Sequence, residues 1–186
     1  MKSLFLFTFL LFTSTIISSQ KINQEISVKN QQPFLVGKIN IEGLSSYSYK
    51  EWFQPKLASY KVNTTISDQI KDNLAAHQIL IFMGTWCGDS KREVPRFIKI
   101  LEAADFPLEN LKIVAVDKRK EFYKKSPQGE EWGLNIHLVP TFIFYKNGRE
   151  MNRIVETPVI SLEEDILAIV SQQKYTPNYS QSLHFD

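Results

Sequence analysis

Residues 79–90 have the sequence ILIFMGTWCGDS, a continuous apolar run that leads directly into a tryptophan, a cysteine and a glycine. The apolar part, Ile79 to Met83, has the length and composition of a strand that is buried on both faces of a sheet. After the cysteine, apolar side chains recur at the helical spacing i, i+3, i+4 and i+7, at Val94, Phe97, Ile98 and Leu101. The stretch therefore predicts a central strand, a helix that begins near Cys87, and a thiol at their junction.

The chain downstream of this stretch continues the alternation of strands and helices. Leu111 to Asp117 predicts a second buried strand, parallel to the first because a helix connects them. The mixed segment from Lys118 to Asn135 is expected to hold another helix. Asn147-Gly148 lies between two strand-like runs and is a strong hairpin signal. Ser161-Leu162-Glu163-Glu164 predicts a capping box that opens a last helix.

The chain upstream of the central strand has a less regular pattern. A short strand near Val62 and a helix capped by Ser67 are expected directly before it. Residues 34–41 alternate as a strand would, and residues 47–60 carry aromatic side chains near helical spacing. Residues 21–32 are polar and predict an unfolded leader. The order predicted from Val62 onward is β-α-β-α-β-α-β-β-α.

Charge and cysteine usage narrow the possible functions of the 186-residue chain. The 22 Lys and Arg residues are interspersed with 20 Asp and Glu residues, so a nucleic-acid partner is not expected. With one cysteine no intramolecular disulfide forms, and Cys87 is a reactive thiol, an intermolecular partner or a buried apolar residue. The three histidines, His77, His137 and His184, lack metal-ligand spacing, so we expect no metal or other cofactor.

The first 20 residues have the pattern of an export signal. Lys2 precedes an apolar stretch from Leu4 to Ile17, and Ser18 and Ser19 follow it. The stretch is shorter than the roughly 20 apolar residues that a membrane helix needs, and an uncleaved anchor is the alternative. We expect residues 1–20 to be removed on export, which makes the mature protein periplasmic or secreted, with no membrane partner.

Three ordered groups of residues resemble the thioredoxin family. The first is Thr85-Trp86-Cys87-Gly88, with Pro95 in the helix that follows. The others are Gly133-Leu134 with Val139-Pro140-Thr141, and Phe144-Tyr145-Lys146-Asn147-Gly148. The resemblance implies a thioredoxin-like α/β fold, in which a central mixed β-sheet is flanked by helices and preceded by an N-terminal extension.

The resemblance is limited both along the chain and within the motif. It covers residues 62–172, which leaves residues 21–61 as the extension and residues 173–186 as a C-terminal tail. Ser90 stands where dithiol members of the family have their second cysteine, and Ile81 stands where they often carry a buried acid. The chain therefore resembles a single-cysteine variant with the motif Cys-Gly-Asp-Ser.

The predicted position of Cys87 favours a reactive sulfur. A cysteine in the first turn of a helix faces unpaired backbone amides and the positive end of the helix dipole, which stabilise a thiolate. Ser90 is expected to donate a hydrogen bond to the sulfur, and Lys91 and Arg92 add positive potential. Asp89 acts in the opposite direction, because a nearby carboxylate disfavours a second negative charge. Cys87 and Ser90 are therefore the candidate catalytic residues.

A second part of the site is implied by the resemblance alone. It places a cis peptide bond between Val139 and Pro140 beside the cysteine, with the Val139 backbone free to pair with an extended substrate; X-Pro bonds tolerate this isomer. The expected substrate-binding residues are Trp86, Gly88, Asp89, Val139 and Pro140.

Three further side chains are candidate modulators of the thiol. Lys118 and Arg119 follow the second buried strand, at the sheet edge that also presents Cys87, and would draw acidic substrates toward it. The alternative is an ordinary solvated loop. His137, shortly before Pro140, would be a general base or an ion-pair partner, or else a surface histidine.

Two functions fit these residues. In the first, Cys87 exchanges with protein or peptide disulfides through a mixed disulfide, and an external thiol or a redox partner protein completes the reaction. Isomerisation or de-thiolation is then expected rather than net reduction. In the second, the chain is a non-catalytic thioredoxin-fold module that binds peptides or proteins.

Overall fold

The computed structural model describes residues 21–46 and 48–180. The predicted signal peptide, residues 1–20, lies outside the described residues, as does the end of the predicted tail. Within the described ranges, no helix has the length and apolar character needed to cross a membrane.

A mixed β-sheet of six strands, in the order β1-β2-β4-β3-β5-β6, runs through the described part of the chain. The strands are β1 (Gln24–Ile26), β2 (Phe34–Ile39), β3 (Gln78–Met83), β4 (Leu111–Ala115), β5 (Thr141–Lys146) and β6 (Arg149–Val155). The helices in the same ranges are α1 (Ile41–Leu44), α2 (Lys50–Ser59), α3 (Thr64–Leu74), α4 (Gly88–Ala103) and α5 (Leu162–Val170). β3 pairs in parallel with β4, as the connecting helix predicts, and antiparallel with β5.

The local signals in the C-terminal half are confirmed. Asn147 and Gly148 connect β5 to β6 with φ angles of 52° and 74°, the positive values that a type I′ turn requires. Ser161 caps α5, because its hydroxyl accepts a hydrogen bond of 3.2 Å from the amide of Glu164. The turn and the cap therefore form from neighbouring residues alone.

Helix α4 carries the predicted apolar face. Cys87 is its N-cap, with an extended φ of −84° and ψ of 132°, and Pro95 lies inside the helix. The side chains of that face are all 0% exposed, namely Val94, Phe97, Ile98 and Leu101. Phe97 stacks on Phe142 of β5 with ring centroids 4.3 Å apart. This packing fixes the start of α4, and with it Cys87, against the central strands.

The predicted strand near Val62 and the predicted cap at Ser67 are both wrong. Residues 60–63 form no strand, and Asn63 caps α3 by accepting a hydrogen bond of 3.3 Å from the amide of Ile66. Ser67 lies inside α3 and is buried. The place beside β4 belongs to β2, which runs antiparallel to it. β2 takes this place because it brings a run of buried apolar side chains, which residues 60–63 lack.

Residues 21–61, expected as an extension, contribute to the same sheet and core. β1 pairs antiparallel with β2, so the predicted unfolded leader instead contains a short strand. Gln24 and Ile26 are only half-buried and Glu25 is exposed, because β1 is the outermost strand. In α2, Phe53 is buried in the main core, and Trp52 contacts its ring edge-on at 5.9 Å.

The helix expected between Lys118 and Asn135 is also wrong. The only helical element in this fully described stretch is a 3-10 turn over Lys120–Phe122. Positive φ angles at Lys124, Gly129, Gly133 and Asn135 interrupt any helical path. The loop covers a second, smaller cluster formed by Phe82, Val114, Val116, Ile136, Val139 and Ile143, against which Trp86 and Cys87 pack.

Candidate functional site

The thiol of Cys87 is half-buried at the junction between β3 and α4. The amide of Cys87 donates a hydrogen bond of 2.9 Å to the carbonyl of Gly84, and its carbonyl accepts one of 3.0 Å from the amide of Lys91. These bonds set the side chain at the end of the helix where backbone amides are free. Its S–H group donates to the carbonyl oxygen of Val139 at 3.2 Å.

The Val139–Pro140 peptide bond is cis, and it lies beside the sulfur. Two hydrogen bonds fix this turn. The carbonyl of Pro140 accepts from the amide of Glu156 at 2.7 Å, and the hydroxyl of Thr141 donates to the carbonyl of Leu138 at 2.7 Å. The structure thus brings Cys87, Val139 and Pro140 together, although 52 positions separate Cys87 from Val139 in the sequence.

Ser90 does not occupy the position that the sequence predicts for it. Its side chain is fully buried, and its hydroxyl accepts a hydrogen bond of 3.1 Å from the amide of Gly84. That bond ties the first turn of α4 to the loop before Cys87. Ser90 is therefore a support of the loop rather than the donor to the sulfur that its spacing predicts.

The charges around the first turn of α4 are paired with one another. Arg92 contacts Asp89 at 2.6 Å and also pairs with the buried carboxylate of Glu93. The hydrogen bond to Glu93 raises the pKa of Arg92, so its charge is retained. Lys91 points elsewhere, with its ammonium 5.7 Å from the ring centre of Trp52. The predicted opposition of Asp89 to a thiolate is therefore partly balanced by Arg92.

Trp86 and Gly88 flank the thiol. The indole nitrogen of Trp86 donates a hydrogen bond of 2.9 Å to the carbonyl of Val116, which holds the ring at the edge of the sheet. The ring centroid of Tyr123 lies 5.6 Å from that of Trp86. Gly88 is exposed, and a Cβ built there would meet no atom within 4 Å. A substrate therefore has open access to the thiol along this side.

The predicted modulators are held by other partners. The ammonium of Lys118 donates to the carbonyl of Gln32 at 3.1 Å. The guanidinium of Arg119 pairs with the buried carboxylate of Asp117 at 2.6 Å. Lys118 and Arg119 are therefore both bonded to groups other than the Cys87 sulfur. His137 is exposed, and its carbonyl accepts a hydrogen bond from Lys124.

Two kinds of site residue escaped sequence reasoning. Thr85 accepts a hydrogen bond from the amide of Leu35, and no local pattern marks such a long-range contact. Glu156, directly after β6, reaches the cis-proline turn through the hydrogen bond from its amide to the carbonyl of Pro140. Within the described ranges, no cluster of at least three His, Cys, Asp or Glu side chains suits a metal ion.

Comparison with known proteins identifies the family. The thioredoxin family model matches residues 58–168, which is more than half of the chain. The chain belongs to the thioredoxin family, whose members exchange thiols and disulfides on proteins.

Individual relatives are distant. The chain is 28% identical over 96 residues to Thioredoxin H9 of Arabidopsis thaliana, which covers 52% of this chain and 61% of that relative, less than two thirds of its length. It is 33% identical over 85 residues to Putative thioredoxin-5 of Dictyostelium discoideum, covering 46% of this chain and 73% of the relative. Among solved structures, Fasciola hepatica thioredoxin aligns with a TM-score of 0.36 and 17% identity, over 59% of this chain and 91% of that one.

Proposed function

We propose that the protein is a thiol–disulfide exchange protein that acts through Cys87 alone on protein or peptide disulfides. The observation that carries this proposal is the position of the sulfur, half-buried at the N-cap of α4 and 3.2 Å from the Val139 carbonyl. A sulfur in this position meets both the free amides of the helix and a substrate strand laid along the cis-proline turn. Family membership supports the same chemistry.

The reaction needs two exchange steps. In the first, the thiolate of Cys87 attacks one sulfur of the substrate disulfide; that S–S bond breaks, a Cys87–substrate disulfide forms, and the other sulfur leaves as a thiolate that takes up a proton. In the second, another thiolate attacks the mixed disulfide and releases Cys87. That thiol belongs to the substrate in an isomerisation, and to an external thiol or a redox partner protein in a de-thiolation. In each step one disulfide bond breaks and one forms, so the protein itself is neither oxidised nor reduced over the whole cycle.

The substrate contacts in this proposal are Trp86, Gly88, Asp89, Val139 and Pro140. All belong to the two segments that meet at the sulfur. The buried hydroxyl of Ser90 keeps the first segment in shape through Gly84. We also propose, from the apolar stretch after Lys2, that the protein acts after export, in the periplasm or outside the cell.

Reaction rates test the proposal more sharply than adduct formation, because Cys87 is the only cysteine in the sequence. The rate at which Cys87 takes glutathione from a glutathionylated peptide is compared between the folded protein and the same protein unfolded in urea. We expect the folded site to react at least about tenfold faster, since it holds the bound substrate disulfide in line with the sulfur and so lowers the barrier. Equal rates would contradict a built catalytic site.

Multiple turnovers complete the test. With excess external thiol, the folded protein should release glutathione from many peptides per Cys87, and Cys87→Ser should add nothing to the release caused by the external thiol alone. The second candidate function, a non-catalytic binding module, is favoured by Ser90, whose hydroxyl is buried and accepts a hydrogen bond from the amide of Gly84, a structural role at the position where dithiol members have their second cysteine. Undiminished peptide binding by Cys87→Ser together with no rate enhancement in the parent would select that function.

A further inference from the structure

A cavity of about 390 Å³ lies beside the loop that carries the thiol. Thr85 and Trp86, the two residues before Cys87, form part of its lining. Two other lining residues, Gln32 and Ser48, are exposed, so the cavity opens to solvent. Its volume falls in the range of about 300–1,000 Å³ that is usual for ligand sites. A group of several non-hydrogen atoms can therefore enter it beside the thiol.

The cavity is formed jointly by the region that the family model matches, residues 58–168, and by the chain upstream of it. The residues from inside that region are Thr85, Trp86, Lys91 and Lys118. The upstream part of the lining lies between Gln32 and Trp52. It is held in place by packing, because Trp52 contacts the ring of the buried Phe53 edge-on. The cavity therefore depends on the upstream segment as well as on the family region.

Two lysines bring positive charge to this cavity. Lys91, in α4, places its ammonium 5.7 Å from the ring centre of Trp52. Lys118, after β4, donates to the carbonyl of Gln32 at 3.1 Å and lies 4.9 Å from the ring centre of Phe34. The bond to Gln32 occupies one of the three N–H donors of that ammonium. Both lysines are half-buried, so each charge has lost part of its contact with water.

The charges at the cavity are not balanced by carboxylates. Among the described residues, neither Lys91 nor Lys118 has a carboxylate oxygen within 4.0 Å, whereas their neighbours Arg92 and Arg119 are both paired. Glu51 is the one acidic residue of the lining, and it is exposed. Two half-buried cations therefore face a single solvated carboxylate. An incoming carboxylate would accept charge-assisted hydrogen bonds from the ammonium groups, which a neutral group of the same shape would not do as strongly.

We propose that this cavity is a specificity pocket that binds an acidic side chain of the peptide whose disulfide Cys87 attacks. This inference rests on the proposed function and narrows its substrate class to disulfides with a carboxylate near the reacting cysteine. A peptide joined to Cys87 reaches the cavity within about two or three residues, because Trp86 is the chain neighbour of Cys87 and an extended chain spans about 3.3–3.6 Å per residue. The indole rings of Trp52 and Trp86 offer apolar surface to the methylene groups of that side chain.

The test compares two peptide disulfides, each capped with neutral mercaptoethanol, that differ only in carrying Glu or Gln at the positions flanking the cysteine. The rate at which the peptide becomes linked to Cys87 is followed by mass spectrometry of quenched samples. The parent should react about fivefold faster with the Glu peptide, and Lys91→Gln and Lys118→Gln should each lose most of this preference. Lys112→Gln removes the same charge at an exposed position near the start of β4, away from the cavity, and is the matched control that should keep it.

Glutathione also carries carboxylates, so oxidised glutathione is compared with hydroxyethyl disulfide in a second pair of reactions. If Lys91→Gln and Lys118→Gln slow only the reaction with oxidised glutathione, while the parent treats the Glu and Gln peptides alike, the assignment to a peptide side chain is wrong. Loss of the preference in Lys112→Gln as well would also overturn the pocket, because the overall charge would then be attracting the peptide.

Binding separates this inference from the chemistry. In a Cys87→Ser background, the Glu peptide with serine in place of its cysteine should bind about fivefold more tightly than the Gln peptide, measured by fluorescence anisotropy. Lys118→Gln in the same background should bring the two affinities together. Equal affinities in the Cys87→Ser protein itself would contradict the pocket whatever the rates are. The proposed function fails differently, through equal rates for the folded and unfolded parent.

Discussion

The backbone amide of Leu35 donates a hydrogen bond of 3.0 Å to the hydroxyl oxygen of Thr85, and both residues are buried. Thr85 lies two positions before Cys87, whereas Leu35 belongs to β2, upstream of the family match. The loop that presents the thiol is thus hydrogen-bonded to β2, a strand that lies outside the region matched by the family model.

Thr85→Val should lower the free energy of unfolding by about 1–3 kcal/mol, because it keeps the shape of the side chain and leaves the buried amide of Leu35 without an acceptor. Urea denaturation measures this loss. Thr85→Ser retains the hydroxyl and is the control, so it should lose much less. Equal losses for the two variants would mean that packing, and not the hydrogen bond, is what Thr85 contributes.

Asp89→Asn should speed the attack of Cys87 on a neutral disulfide by a factor of about two to ten at low ionic strength. The substitution removes a negative charge beside the site and releases Arg92 from one of its two ion pairs, while the pair with Glu93 stays. Arg92→Gln should act in the opposite direction. Stopped-flow rates at increasing salt check both, since screening should shrink the two effects together; effects that persist unchanged in high salt would argue against electrostatics.

His77 should make stability depend on pH. The ring is fully buried, with Nδ1 2.8 Å from the carbonyl of Asn73, and among the described residues its Nε2 has no hydrogen-bond partner. Burial lowers the pKa of His77 below its ordinary value of about 6.5. The unfolded chain therefore binds this proton more readily, so the stability contribution is present above about pH 6.5 and is lost as the pH falls below that value.

His77→Phe tests this dependence. Between about pH 7 and pH 5, the parent should lose more free energy of unfolding than the variant does, because the variant has no proton to take up at this position. His137→Asn, at an exposed position, should follow the parent. Parallel pH curves for the parent and His77→Phe would refute the assignment.

Glu163→Ala should destabilise the protein by about 1–3 kcal/mol. The buried carboxylate accepts hydrogen bonds from the hydroxyl of Tyr60 at 2.9 Å and from the amide of Asn63 at 3.1 Å, so its loss leaves both donors unpaired. Combination with Tyr60→Phe separates the two contacts. The double variant should lose less than the sum of the single losses, and strict additivity would show that the two residues do not act together.

Elements with a strong local pattern could be predicted from the sequence. The apolar face of α4, the Asn147-Gly148 turn and the cap at Ser161 each depend on residues within one or two turns of chain. Their geometry is dictated by side-chain periodicity and by backbone φ angles, which the residue types themselves reveal.

Features that depend on which distant segments pack together could not be predicted from the sequence. Val62 and the Phe34–Ile39 segment both have strand character, and only burial beside β4 decides between them. The spacing of Ser90 from Cys87 is right for a hydrogen bond to the sulfur, but the Ser90 hydroxyl instead accepts a hydrogen bond from the amide of Gly84. The path of the chain after α5 has no periodic signal at all, because hydrogen bonds from Asn178 to the carbonyls of Thr157 and Pro158 hold it.

The antiparallel pairing of β2 with β4 bears on how short this protein can be made. A chain trimmed to residues 58–168 would lack β2, so one edge of β4 would have no paired strand. The apolar side chains that Phe34 and Leu35 cover would become exposed. Unpaired, apolar sheet margins recruit other chains. Such a fragment should self-associate, so the smallest monomeric unit begins upstream of Phe34.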